Sequence, residues 1–93
     1  MVVVSGEFEL FLPASRSLKD KRQVLASLKE RLRRRFEVAV AEVDHQDRWQ
    51  RARLGIVTVS SSARRAEEVL CEALRYVEGD LRVQVVEHII EER

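Results

Sequence analysis

Apolar and polar positions alternate from the second residue: Val2, Val4, Phe8, Leu10 and Leu12 share one parity, and Ser5, Glu7 and Glu9 take the other. A period of two predicts a half-buried strand over residues 2–12, ended by Pro13. The period then lengthens. Leu18, Leu25, Leu28, Leu32 and Phe36 recur at helical spacing with Val24 on the flank, Ser17 reads as an N-cap, and Asp20 stands three residues on as its capping-box partner. This predicts a helix over residues 18–35. Residues 37–44 read as a second strand, 45–48 as a turn, and Trp49 to Ser60 as a third strand rich in Leu54, Ile56, Val57, Thr58 and Val59. Ser60, Ser61 and Ser62 offer N-caps for a second helix running to Glu78. Its core face is Ala66, Val69, Leu70, Ala73, Leu74 and Val77, and Gly79 is its stop. Residues 81–90 form the last strand, with Leu81, Val83 and Val85 alternating against Arg82 and Gln84.

No linker, repeat or low-complexity segment interrupts the chain, so residues 1–93 read as a single domain. The order βαββαβ, with right-handed crossovers and a central hairpin, predicts a ferredoxin-like α+β sandwich. Four antiparallel strands form one sheet, both helices cover one face, and the other face stays open. On that open face the first strand should show Val3, Ser5, Glu7, Glu9 and Phe11. Placing Leu54 and Ile56 inward turns Trp49, Arg51, Arg53, Val57 and Val59 outward on the third strand. The two strands are central neighbours in this topology, so Glu7 and Glu9 should pair crosswise with Arg51 and Arg53. Val3, Val57 and Val59 leave one end of the face apolar, and Phe11 and Trp49 stand near strand ends. An apolar half-sheet of this kind commonly buries itself against a second copy, and a homodimer is expected through it; the alternative functional reading is a homodimeric structural or regulatory module that binds a small ligand or a protein on this open face. RNA-recognition motifs share the topology but stack bases on aromatics of both central strands. Only Phe11 and Trp49 are available here, and base stacking of that type is not expected.

Composition narrows the class. A chain of 93 residues and 10.8 kDa, 45% apolar and 35% charged, is a soluble globular domain rather than a disordered or membrane-embedded one. No apolar run approaches the roughly 18 residues of a membrane span, and the first seven residues are no signal peptide. Cys71 is the only cysteine, off the apolar stripe of its helix, which excludes an internal disulfide and a Cys-rich metal site. A cytoplasmic location is expected, with no membrane partner.

The formal net charge of +1 hides a segregation. Residues 15–36 carry nine basic side chains against Asp20 and Glu30, a net of +7, and the other 71 residues sum to −6. The cations are 14 arginines and three lysines, and asparagine is absent, which fits a heat-adapted source. A GC-rich genome would produce the same arginine bias. At about 100° per residue, Lys19, Arg22, Lys29 and Arg33 fall within an arc of about 80° on the first helix. From Lys19 to Arg33 the strip is roughly 21 Å long, enough to meet several backbone phosphates in succession. The second helix differs: Arg64, Arg65 and Arg75 stand three or four residues from Glu68 and Glu72 and are neutralised. Dipole complementation explains Arg33, Arg34 and Arg35 at the helix end but not Lys19, Lys21 and Arg22 at its start. The expected RNA-contacting set is therefore Arg16, Lys19, Lys21, Arg22, Lys29 and Arg33, with RNA or a ribosomal subunit as partner. A solvated arginine-rich face and an acidic protein partner are the competing readings.

Asp44, His45 and Asp47, with Glu42 nearby, are the one concentration of catalytic-type side chains. Asp at a hairpin turn ordinarily caps backbone amides, and the second histidine, His88, lies on the last strand. No phosphate loop, nucleophile motif or spaced ligand pair occurs. The reading is a non-enzymatic protein with no cofactor, no metal and no catalytic residues.

Two blocks carry a resemblance across essentially the whole chain: Ser15-Arg16-Ser17-Leu18-Lys19-Asp20-Lys21-Arg22, and Val40-Ala41-Glu42-Val43-Asp44-His45-Gln46-Asp47 followed by Trp49-Gln50-Arg51-Ala52. Together they resemble the bacterial YlxP-like family, a domain of unknown function. The resemblance implies a ferredoxin-like fold and an association with translation and ribosome-maturation genes. It implies no established activity and no assigned catalytic residues.

Overall fold

Alternation in the first residues is realised as β1 (Val2–Phe11), and the longer period as α1 (Leu18–Arg35). In this computed structural model, which describes residues 1–93, there follow β2 (Ala39–Asp44), β3 (Arg51–Ser60), α2 (Ala63–Glu78) and β4 (Gln84–Glu92). The strands form one antiparallel sheet in the order β2-β3-β1-β4, the ferredoxin-like arrangement. Ser17 caps α1 by accepting the Asp20 N–H at 3.0 Å, and the Asp20 carboxylate accepts the Arg16 N–H at 3.0 Å. Ser62 caps α2 through the Arg65 N–H at 3.3 Å.

The core lies between the sheet and the helices. Val4, Phe8, Leu10 and Leu12 from the first strand region meet Ala52, Leu54 and Ile56 from β3. Leu25, Leu28 and Leu32 of α1 and Ala66, Leu70, Ala73 and Val77 of α2 close over them. Gly6 permits this approach: a Cβ there would stand 3.0 Å from Leu70 Cδ1 and 3.2 Å from Phe8 Cε1. The inward parity of Leu54 and Ile56 is as expected, and Thr58 completes that row by donating to the Glu37 carbonyl at 2.7 Å.

Several strand boundaries differ from the sequence expectation: β1 ends at Phe11 rather than residue 12, and β4 runs on to Glu92 rather than ending at residue 90. β4 starts at Gln84 rather than residue 81, because Asp80 clasps Arg82. Its Oδ1 accepts the Arg82 backbone N–H at 2.9 Å and Nε at 3.0 Å, and Oδ2 accepts Nη2 at 2.6 Å. The turn so formed pushes Leu81 out to 98% exposure, so it is no strand residue, whereas Val83 is buried. β2 begins at Ala39 rather than residue 37, and Trp49 lies just outside β3. Gly79 caps α2 in the right-handed region (φ −78°, ψ −8°), so its stop does not depend on a left-handed conformation.

Candidate functional site

Packing divides the cations of α1 into those spent on the fold and those left free. Lys21 belongs to the first group. It shares the spacing of Leu25, Leu28 and Leu32 and is 1% exposed. Its Nζ donates to Glu42 Oε2 at 2.8 Å, to the His45 carbonyl at 2.7 Å and to the Arg51 carbonyl at 3.2 Å. All three ammonium protons are committed, so Lys21 cannot reach a phosphate and leaves the expected RNA-contacting set. Its place is structural: it ties the first turns of α1 to the β2–β3 hairpin.

Lys19, Arg22 and Arg33 are exposed, Lys29 half-buried and Arg16 exposed. None of these five enters an ion pair. Of the nine cations in residues 15–36, only Lys21 and Arg34 are paired; of the eight elsewhere, all but Arg48 and Arg75 are. On α2, Arg64 reaches Glu68 at 3.2 Å, and Arg65 reaches Glu68 at 3.6 Å and Glu72 at 4.0 Å. Arg33 donates Nη2 to the Val40 carbonyl at 2.8 Å, a neutral acceptor that fixes the side chain against β2 without cancelling its charge.

On the open face the expected crosswise pairs form. Arg53 Nε meets Glu7 Oε1 at 2.7 Å, Arg53 Nη1 meets Glu9 Oε1 at 3.1 Å, and Arg51 Nη1 lies 3.5 Å from Glu9 Oε2. The Glu7 and Glu9 carboxylates hold the Arg53 guanidinium above its ordinary pKa, outweighing its partial desolvation. Sequence reasoning missed the third partner: His45 Nε2 lies 3.0 Å from Glu9 Oε2. Glu9 is thereby surrounded and only 8% exposed, although it faces the open side. His45 adopts φ 64°, the one left-handed residue in the chain, and Asp44 Oδ1 accepts its N–H at 2.7 Å. Its ring thus turns back onto the sheet while its carbonyl receives Lys21. Asp44 and His45 are engaged in building the hairpin, and Asp47 stands apart from them.

The rest of the open face holds two shallow hollows. One, of about 320 Å³, runs over Ser5, Ala39, Ala41, Val43, Gly55 and Val57 and is bounded by Glu7 and Arg93. Val3 pairs directly with Val59 at its end, and Val59 is 59% exposed. The other, of about 290 Å³, lies at the hairpin end and is lined by Phe11, Asp47, Arg48, Trp49, Gln50 and Arg51. The expected sheet-face set therefore splits, with Val57 beside the first hollow, Val3 and Val59 beyond it, and Phe11 and Trp49 in the second. No helix is long and apolar enough to cross a membrane.

A family model described as "Protein of unknown function (DUF503)" matches residues 3–90. The chain is also 38% identical over 74 residues to the "Uncharacterized protein YlxP" of Bacillus subtilis (strain 168), a match that covers 80% of each chain.

Proposed function

The chain belongs to the DUF503 family of proteins of unknown function, and from its own side chains we propose a non-enzymatic, cytoplasmic protein that binds RNA or a ribosomal subunit through α1. One observation carries the reading: seven of the nine cations in residues 15–36 enter no ion pair, while most cations elsewhere do. Unpaired like charges on one helix repel one another and lower stability, and an external polyanion would relieve that repulsion. Lys19, Arg22, Lys29 and Arg33 supply successive, sequence-independent phosphate contacts, supported by Arg16. Four such contacts to single-stranded RNA give a slope of about −3 for log affinity against log salt. Reversing the four to glutamate should abolish salt-sensitive binding, and co-sedimentation with ribosomal subunits should be lost with it. Equal binding by reversed and parent proteins at low salt would refute the reading.

A second reading rests on the 320 Å³ hollow. Its floor of Ala39, Ala41 and Gly55, beside exposed Val43 and Val59, suits a homodimer that covers the open sheet. Sedimentation at micromolar concentration tests it: a dimer in the parent and a monomer in Val57→Asp support it, and a monomer in both removes it.

A further inference from the structure

Two aromatics that lie 38 positions apart in the chain share one hollow. Phe11 ends β1 and pairs in register with Arg51, and the bend that precedes β3 carries Trp49 into the same hollow. Trp49 is 51% exposed, and the Arg51 guanidinium sits 5.7 Å from the Phe11 ring centroid. Arg48 and Asp47 complete the wall and enter no ion pair. An indole left half in water beside an unpaired arginine is poorly explained by the fold, because the core closes without it.

We propose that this hollow seats one unstacked base of single-stranded RNA, a reading that rests on the RNA-binding role of α1 and extends it. The base stacks on the Trp49 indole beside Phe11, the unpaired Arg48 faces a flanking phosphate, and the Asp47 carboxylate accepts from an exocyclic amino group. Position supports one continuous path. Gln50 Nε2 donates to the Pro13 and Ser15 carbonyls at 3.3 and 3.2 Å, and Lys21 holds the Arg51 carbonyl. The hollow therefore adjoins the start of α1, where Arg16, Lys19 and Arg22 stand unpaired. The apolar end of the sheet at Val3 and Val59 lies eight residues along β1 from Phe11, roughly 26 Å away. This is a single platform at a hairpin mouth, distinct from the two-strand stacking of RNA-recognition motifs.

Trp49 is the only tryptophan, so its emission reports on this hollow alone. The full chain is titrated with labelled oligoadenylate, oligocytidylate or oligouridylate of about eight nucleotides, within the usual range for a small single-strand site. Anisotropy of the RNA is followed beside Trp49 emission. Binding should quench Trp49, and oligoadenylate and oligocytidylate should bind more tightly than oligouridylate. Trp49→Leu should weaken binding roughly tenfold, and Trp49→Phe should keep most of it, with unchanged circular dichroism in both. RNA binding that depends on Lys19 and Arg22 but leaves emission unchanged, with full affinity in Trp49→Leu, overturns the base site and leaves the α1 reading standing. Absence of any RNA binding overturns both. Emission that shifts with protein concentration and resists RNA identifies a second copy as the occupant and equally overturns the base site.

Discussion

Lys21 donates to acceptors 21, 24 and 30 residues away, so one side chain holds α1, β2 and the hairpin in a fixed relation. Lys21→Met keeps the volume of the stem but leaves the Glu42 carboxylate and two carbonyls without a donor. A loss of about 3 kcal/mol is expected, read as a fall of roughly 12–24 °C in Tm. Adding Glu42→Met should restore part of it by removing the unpaired charge. The 4-3-4 spacing from Lys21 through Leu25 and Leu28 to Leu32 is visible in the sequence. Hydropathy assigns a lysine there to the surface, because its acceptors come together only in the folded sheet. Asp80 has the opposite character, since its partner is two residues away. Bonding to Arg82 depresses the Asp80 carboxyl below its usual value despite partial burial. Its contribution is therefore present above the unfolded pKa and lost as pH falls through the lower folded value. The Tm gap between parent and Asp80→Asn should be constant above about pH 5 and close as pH drops below about 4.

The basic flank of α1 runs beside β2, the edge strand, and Arg33 connects the two. Single reversals along the flank should therefore separate by measurement. Lys19→Glu and Arg22→Glu should weaken RNA binding while shifting stability by no more than about 0.5 kcal/mol. Arg33→Glu should lower both, because the Val40 carbonyl loses its donor and its partly negative oxygen comes to face a carboxylate; anisotropy and thermal melts distinguish the cases. At this scale the element order, both helix spans and the open-face parities are legible from periodicity. The start of β4 is not. Leu81, Val83 and Val85 satisfy a strand pattern, but the local Asp80–Arg82 clasp takes Leu81 out of it. The candidate site is legible in half. Spacing identifies the free strip, whereas the hollow shared by Phe11 and Trp49 forms at the bend before β3, whose shape local sequence does not carry.

Across the whole molecule, free positive charge gathers on α1 and the head of the hairpin, and carboxylates hold the cations of the sheet and, on α2, Arg64 and Arg65 but not Arg75. The near-neutral total limits nonspecific attraction, so RNA affinity should be modest at physiological ionic strength, while its salt slope is set by the few phosphate contacts of α1. The same topology has a kinetic consequence. β1 is made first, yet it lies between β3 and β4, and Val4 pairs with Glu92 at the far end of the chain. During synthesis β1 waits with both edges unsatisfied until β3 emerges, and with one edge open until β4 follows. A nascent chain stalled after Gly79 should remain protease-sensitive, and protection should arise in one step once β4 clears the ribosome. Folding of so non-local a sheet is expected on the millisecond-to-second scale rather than in microseconds.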